Sequence, residues 1–208
     1  MITDGLTPLT VLLFLGLVLG GAALIAIYLF ARITKRTPLA RITLTLLLAG
    51  VATYAVLFIV ASVTSRSRLI ALGEEKHICE VDCHLAYSVA GVKAEPAPVD
   101  RTRYTVTVKV RFDEETISSH RPKDASLLPN SRYVALVDAA GHEYPGPTDG
   151  LGRRLIPGES YTTDLVFEVP ASARDLRLVL RNADPETPFV IGHENSFFHG
   201  KTTFRLGA

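Results

Sequence analysis

Residues 6–31 read LTPLTVLLFLGLVLGGAALIAIYLFA, and residues 42–65 read ITLTLLLAGVATYAVLFIVASVTS. Neither stretch contains an Asp, Glu, Lys or Arg residue. Each exceeds the roughly 20 residues that an α-helix needs to cross a bilayer core about 30 Å thick. We therefore predict that residues 1–65 form a hairpin of two transmembrane α-helices, about 6–31 and 42–65, and that the lipid bilayer is a partner of this chain.

The connection between the two stretches, RITKRTPLAR, is strongly basic. Its four cations, with no acidic residue among them, are Arg32, Lys35, Arg36 and Arg41. Loops rich in Lys and Arg stay preferentially on the cytoplasmic side of a membrane. This rule predicts a multi-pass protein of the cytoplasmic membrane, with the C-terminal domain in the periplasm or at the cell exterior. Asp4 stands where a secretory signal would carry cations, so we expect the first helix to be retained.

Small residues recur on both predicted helices and indicate close helix packing. They are Gly16, Gly20 and Gly21 in the first helix, and Ala49 and Gly50 in the second. Small side chains let two helix backbones approach each other closely inside a membrane. The pattern fits packing within the hairpin, and it also fits docking of the glycine face onto another membrane subunit.

The charge of the chain beyond residue 65 is nearly balanced. It contains 18 Lys and Arg residues against 20 Asp and Glu residues, a net charge of −2. A nucleic-acid-binding surface would show a basic excess on one face or along one helix. We therefore predict that nucleic acid is not a partner.

Residues 66–76 are polar and are predicted to form a connector, and residues 77–208 are long enough for one compact domain. Apolar residues alternate with polar ones in Tyr104–Phe112, Tyr161–Val169 and Leu176–Arg181, the period of half-buried strands. Several strands without intervening helical patterns predict an all-β, antiparallel sandwich. The expected core residues are Val106, Val108, Val110, Leu165, Phe167, Leu178 and Leu180.

Four short motifs carry a resemblance to a known family. They are VDAAGHEY at 137–144, LIPGE at 155–159, VFEVP at 166–170 and LVL at 178–180. Together they resemble a bacterial family of extracytoplasmic immunoglobulin-like domains, many of which have no assigned function and whose architecture secreted mycobacterial antigens share. The resemblance covers roughly the last 130 residues. It implies an immunoglobulin-like sandwich but no active site, because a fold by itself does not specify a function.

The densest polar cluster is HICEVDCH at residues 77–84, which contains both cysteines of the chain. Thiolate and imidazole groups together suit copper or zinc. In a regular strand Cys79 and Cys83 would lie about 13 Å apart, so a shared metal or a disulfide needs a turn or a bulge between them. Three interpretations stay open: a disulfide between Cys79 and Cys83, two unpaired cysteines, or a copper or zinc site drawn from His77, Cys79, Cys83, His84, His193 and His199.

A two-helix hairpin followed by an extracytoplasmic β domain also resembles subunit II of haem-copper oxidases in topology. The copper loop of that family carries Cys-x3-Cys with a His four residues after the second Cys and a Met beyond it. Here the fourth residue after Cys83 is Tyr87, and the only Met of the chain is Met1. The motif also directly follows the helices rather than lying near the end of the domain, so we reject a dinuclear copper centre of that form.

Hydrolase and nucleotide-binding motifs are missing from the sequence. There is no Gly-x-Ser-x-Gly, no His-Glu-x-x-His, no phosphate-binding glycine-rich loop and no dinucleotide fingerprint. We therefore predict no enzymatic activity and no cofactor, copper or zinc being the alternative. Residues 192–198 place Phe197 and Phe198 beside polar residues, which predicts a loop that plugs the core or forms a partner-binding edge.

These observations favour a membrane-anchored extracytoplasmic adaptor or accessory subunit. It would bind or stabilise a partner protein or a larger membrane complex. The alternative hypothesis is a metal-handling, copper-binding or redox module that uses the 77–84 cluster.

Overall fold

The computed structural model describes residues 2–3, 8–78, 83–117, 122, 124–183 and 187–207. A short strand, β1 (Ile2–Thr3), precedes two long helices, α1 (Pro8–Ile33) and α2 (Thr37–Thr64). The strands of the β domain follow as β2 (Arg68–Ile70), β3 (Lys76–Ile78), β4 (Leu85–Ala97), β5 (Arg101–Phe112), β6 (Arg132–Val137), β7 (Glu143–Pro145), β8 (Ser160–Pro170), β9 (Arg177–Asn182) and β10 (Thr202–Arg205).

Both helices extend further into the basic connection than the uncharged stretches alone indicate. Helix α2 begins at Thr37 because Pro38 occupies its first turn, where a missing backbone N–H costs no helical hydrogen bond. The amide of Arg36 donates to the carbonyl of Ala31 over 2.8 Å and closes the tight reversal between the helices. Both helices are long and apolar enough to cross a membrane, and very few of their residues are buried in the chain by itself.

The two helices pack against each other as a hairpin. A methyl group added at Gly21 would lie 3.8 Å from Cδ1 of Leu47, so this glycine faces the partner helix. Methyl groups at Gly16, Gly20 or Gly50 would meet no other atom within 4 Å in the described chain. Ala49 is likewise exposed. Among the glycines of the predicted small-residue face, Gly21 is therefore the one whose Cβ position lies within 4 Å of the other helix. Docking of the remaining small residues onto another membrane subunit stays a prediction.

The β domain consists of two five-stranded sheets, as the alternating pattern predicts. The first sheet has the order β1-β3-β4-β5-β8, and the second has the order β2-β10-β9-β6-β7. Their pairings are antiparallel except at two edges, where β1 runs parallel to β3 and β2 runs parallel to β10. The fold is therefore two apolar helices followed by a β-sandwich.

Apolar side chains from the inner faces of both sheets form one continuous core. All seven predicted core positions are confirmed, with no more than 2% of any of these side chains exposed; they are Val106, Val108, Val110, Leu165, Phe167, Leu178 and Leu180. The polar neighbours on the same strands point outward because successive side chains of a strand alternate between faces.

The segment predicted as a connector, residues 66–76, is largely built into the domain. Strand β2 starts four residues after the end of α2 and pairs with β10 in the register Arg68 to Thr202. Backbone atoms of Arg66 and Ser67 pass so close to Gly200 that an added methyl group would lie 2.4 Å from the Arg66 carbonyl carbon. Only glycine fits there, because the backbone between α2 and β2 packs directly against Gly200.

Truncating Phe167 tests the assignment of the core. Phe167→Ala should lower the free energy of unfolding by about 3–5 kcal/mol, because it removes a buried aromatic ring and leaves a cavity. The matched control is Val166→Ala, since Val166 is the next residue of β8 and is 46% exposed. Denaturant unfolding of the full chain in detergent measures both; equal losses would show that the faces of β8 are wrongly assigned.

Candidate functional site

Residues 188–200, here called the α2-facing segment, run beside the end of the helix hairpin that adjoins the β domain. The hydroxyl of Tyr54 donates to the carbonyl oxygen of Phe189 over 2.8 Å. The amide of Gly200 donates to Oγ of Ser65 over 2.6 Å. Tyr54 and Ser65 are separated by about three helical turns, so the segment follows the last part of α2. Val190 is buried and packs against Phe14 of α1.

A fully buried ammonium group holds this segment to both sheets. Lys76 is 0% exposed, and its Nζ donates to the carbonyl oxygen of Leu180 over 2.8 Å. The same Nζ lies 2.7 and 2.6 Å from the two carboxylate oxygens of Glu194, whose side chain is 3% exposed. The carbonyl oxygen of Thr202 lies 3.4 Å away as a further acceptor. Strands β3, β9 and β10 and the α2-facing segment therefore meet at one charge.

The exposure pattern of the α2-facing segment is inverted relative to that of a soluble loop. Its polar residues from His193 to Ser196 are all buried, with 8% or less of their surface exposed. Its aromatic residues are exposed: Phe189 to 54%, Phe197 to 51% and Phe198 to 81%. The prediction that this loop plugs the core is therefore wrong for its aromatic pair. The polar residues point inward because Lys76 and Asn182 offer partners there, among them the Asn182 carbonyl that accepts from Asn195 Nδ2 over 2.7 Å.

His193 is held neutral inside this polar cluster. Burial is the main cause that lowers its pKa from 6.5 to about 4; Lys76, Lys201 and His199 lower it further, while Glu194 acts in the opposite direction. The amide of Asn195 donates to Nδ1 over 2.9 Å, which assigns the proton of the neutral ring to Nε2. Nε2 has no hydrogen-bond partner among the described residues.

A second polar network lies at the β3–β4–β5 end of the first sheet. Nε2 of His77 lies 2.9 Å from Asp113, and Arg111 forms a two-pronged ion pair with Glu75 over 2.9 and 2.7 Å. Burial would raise the pKa of Asp113, but hydrogen bonds from His77, the Glu115 amide and Arg111 hold it below its usual range. The hydrogen bond from Arg111 likewise lowers the pKa of Glu75.

Each histidine proposed as a metal ligand uses one ring nitrogen in a hydrogen bond within the described chain. Nδ1 of His84 lies 2.6 Å from the hydroxyl of Thr116, and Nδ1 of His199 donates to the carbonyl of Gly200 over 2.8 Å. His77 is bonded through Nε2 and His193 through Nδ1, while Nδ1 of His77 and Nε2 of His193 have no hydrogen-bond partner among the described residues. No group of three or more His, Cys, Asp or Glu side chains that could hold a metal occurs among the described residues. Copper or zinc binding thus stays a prediction, and the described part of the chain offers no geometric arrangement in its favour.

Only one of the two cysteines falls within the described residues. Cys83 is disulfide-bonded. Cys79, the only other cysteine of the chain, lies outside the described residues. The pairing of Cys79 with Cys83 stays a prediction for that reason.

A basic groove of about 370 Å³ crosses the outer face of the second sheet. Four cations and one carboxylate line it: Arg68, Arg177, Arg181, Lys201 and Glu143. Leu69 and Val179 form the apolar part of its floor. They lie on either side of Thr203, which pairs with Leu69 on β2 and with Val179 on β9. The sequence did not reveal this groove, since its cations come from two separate strands, β2 and β9, and from the chain just before β10.

Internal contacts fix part of the groove before any ligand binds. The guanidinium group of Arg181 lies 4.4 Å from the ring centre of Tyr133 and donates to Asn195 over 2.8 Å. Lys201 donates to the carbonyl of Glu194 over 2.6 Å. Arg68 and Arg177 are exposed and have no side-chain hydrogen bond or ion pair to another described residue. Two fixed and two available cations thus face one shallow cleft.

Comparisons with known proteins give likenesses to solved structures of low sequence identity. No protein-family model and no curated protein matches the chain. The secreted protein MPT63 of Mycobacterium tuberculosis matches 68% of this chain and 99% of its own, with 15% identity and a TM-score of 0.44. An uncharacterized β-sandwich protein of Clostridium difficile matches 69% of this chain and 96% of its own, with 10% identity and a TM-score of 0.41.

A conserved hypothetical protein of Bacillus anthracis matches 53% of this chain and 93% of its own, with 13% identity and a TM-score of 0.36. Likenesses at these identities and TM-scores carry no argument about function. The sandwich architecture rests on the strand pairing of this chain itself. None of these comparisons supports the topological resemblance to subunit II of haem-copper oxidases.

The buried imidazole of His193 gives the protein a defined pH dependence. Between pH 6.5 and about 4 the unfolded chain binds a proton at this ring and the folded chain does not, so stability falls as the pH falls through this window. The loss should reach up to about 3 kcal/mol. His193→Asn keeps an acceptor for the Asn195 amide and should remove this dependence.

Thermal unfolding of the full chain in detergent between pH 7 and pH 4 checks this prediction. The control is Val166→Ala, because Val166 is 46% exposed on β8 and carries no titratable group, so this change should leave the pH dependence unchanged. An identical pH profile for the original chain and His193→Asn would contradict the assignment.

Proposed function

We propose that this protein is a membrane-anchored extracytoplasmic adaptor whose basic groove binds an acidic segment of a partner protein. The observation that carries the proposal is the groove itself: four cations over an apolar floor, with one carboxylate among them. Arginine is enriched at protein interfaces, and a surface of one charge sign attracts and orients a partner of the opposite sign. Arg68 and Arg177 are the two cations available to that partner.

The membrane anchor follows from helix length and apolar character. The exposed side chains of α1 and α2 are large hydrophobics along most of their length, a surface that water would not solvate favourably. Strand β1 precedes α1 and pairs with β3 of the domain, so both ends of the hairpin lie on the same side. The basic connection at the opposite end favours a cytoplasmic position for it and an extracytoplasmic position for the β domain.

The subtype proposed for the sandwich is immunoglobulin-like. In the second sheet β10, β9 and β6 are neighbours, as are strands G, F and C of that fold. In the first sheet β5 pairs with β8 as strand B pairs with strand E. The chain crosses between the sheets from β5 to β6, from β7 to β8 and from β8 to β9.

Enzyme fusions test the orientation. Alkaline phosphatase joined after residue 207 should be active, because it folds only outside the cytoplasm, and green fluorescent protein at the same place should be dark. Fusions placed within residues 34–36 should show the opposite pattern. An inactive phosphatase and a fluorescent protein at the C-terminal end would contradict an extracytoplasmic β domain.

Site-specific photo-crosslinking tests the groove. A photoreactive amino acid at Leu69, which is 43% exposed in the groove, should capture one discrete partner in the cells that make this protein. The double change Arg68→Glu with Arg177→Glu should reduce capture at least about tenfold, because like charges across an interface cost several kcal/mol. Capture should also fall at high salt.

The matched control places two charge reversals on the first sheet, Lys93→Glu and Lys109→Glu, which change the net charge equally without touching the groove. These should leave capture at Leu69 unchanged. A photoreactive residue at Val166, on the outer face of the first sheet, should give no such product. Equal capture after reversal of Arg68 and Arg177 would rule the groove out as the binding surface.

A further inference from the structure

The α2-facing segment carries three exposed phenylalanines that neither the groove nor the sandwich core uses. Phe189, Phe197 and Phe198 lie on one segment, and the rings of Phe189 and Phe197 meet edge to face with their centres 5.7 Å apart. Phe198 adopts a left-handed backbone conformation, with φ of 64°, which is uncommon for an aromatic residue. The chain therefore holds an 81% exposed ring outward through a strained conformation.

The contact of Phe189 with Tyr54 of α2 indicates how deep this segment lies in the membrane. Tyr54 lies ten residues before the end of α2 at Thr64, about 15 Å along the helix axis. At about 1.5 Å per residue, α2 needs about 20 residues to cross a hydrocarbon core about 30 Å thick. If the core begins just after Arg41, it therefore ends near Ala61. Tyr54 and the Phe189 carbonyl bonded to it then lie inside the outer leaflet.

Several backbone amides of the segment and its one carboxylate have partners within the chain, as a lipid environment requires, whereas Nε2 of His193 is buried without a partner among the described residues. Successive turns close through the amides of His193, Ser196 and His199, which donate to the carbonyls of Val190, His193 and Ser196 over 3.2, 2.9 and 3.1 Å. Glu194 is the segment's only acidic or basic residue apart from histidine, and it is buried against Lys76. Unsatisfied backbone and charged groups are excluded from hydrocarbon because each costs several kcal/mol.

Cations border the segment on the side that faces the β domain. Arg66 is exposed two residues after the end of α2, and Lys201 directly follows the segment. Lys and Arg at this level contact lipid phosphates, and aromatic side chains concentrate at the boundary between headgroups and acyl chains. Apolar side chains toward the helix and cations toward the domain match the polarity of a membrane leaflet.

We propose that the α2-facing segment is a lipid-binding wedge: Phe189, Phe197 and Phe198 contact the acyl chains of the outer leaflet and fix the depth and tilt of the β domain. This inference rests on the proposed membrane anchor. The β domain would then contact the membrane through a segment of its own, in addition to the two helices that span it. This segment is remote from the helices in sequence. The exposed helix surface next to it extends the same apolar area.

The natural absence of tryptophan from this chain allows a direct test. Three single-tryptophan variants of the full chain are reconstituted into phosphatidylcholine vesicles with brominated acyl chains: Phe198→Trp in the wedge, Val56→Trp on the exposed face of α2, and Val99→Trp in the β4–β5 turn. Val56 is 60% and Val99 is 90% exposed. Bromine quenches tryptophan only on close approach, so the loss of emission reports contact with acyl chains.

The proposal expects Phe198→Trp to lose emission to nearly the same extent as Val56→Trp, with blue-shifted emission, while Val99→Trp is not quenched. Quenching of Val56→Trp without quenching of Phe198→Trp would overturn the wedge and leave the membrane anchor standing. Blue-shifted but unquenched Phe198→Trp would mean that a protein surface, such as a second copy, covers the ring, and would also overturn the wedge. Unquenched Val56→Trp would overturn the anchor itself.

A second variant guards against misfolding at the strained position. Phe197→Trp replaces the neighbouring ring, which is 51% exposed and lacks the left-handed conformation. It should be quenched like Phe198→Trp. If Phe198→Trp fails to fold, the result from Phe197→Trp decides the question by the same criteria.

Discussion

The ammonium group of Lys76 is the point through which the parts of this molecule are held together. It is removed from water completely, and such a charge is tolerated only where acceptors surround it closely. Those acceptors come from Leu180 in β9, Thr202 in β10 and Glu194 in the α2-facing segment. A second buried cation, Arg132 of β6, donates to the hydroxyl of Tyr87 in β4 over 3.0 Å and to Oδ1 of Asn182 in β9 over 2.7 Å. The Lys76 contact includes the α2-facing segment as well, so it helps to set the mutual position of strands and segment at the end of the sandwich nearest the helices.

The Lys76–Glu194 contact also fixes the junction between α2 and the β domain. The segment fixed by Glu194 contacts α2 at Tyr54 and Ser65, and its last residue, Gly200, lies under the backbone of Arg66 and Ser67. Three residues between α2 and β2 leave no flexible linker. A β domain tied to its helices in this way presents its groove and its exposed aromatics in a constant direction. Pre-organisation of this kind lowers the entropic cost of binding a partner or a bilayer.

The apolar periodicity predicted the sandwich core correctly because alternation along a strand is a local property. Val106, Leu165 and Phe167 each sit on the apolar side of a period-2 pattern, and each is buried. The expectation that Phe197 and Phe198 plug the core was wrong, because aromatic character alone does not specify whether a side chain is buried in the protein or exposed on its surface. The apolar periodicity also missed β2, a three-residue strand too short to show alternation.

The sequence by itself determined the two apolar helices, the cationic loop between them and the two-faced strands of the sandwich. Each follows from residues adjacent in the chain, through helix length, loop charge and strand period. Only the tertiary structure decided the partner of Lys76, which lies 118 residues away, and the groove, whose cations come from two strands and the chain just before β10. No local pattern encodes these contacts, because a charge selects its partner from whatever the folded backbone brings within hydrogen-bonding distance.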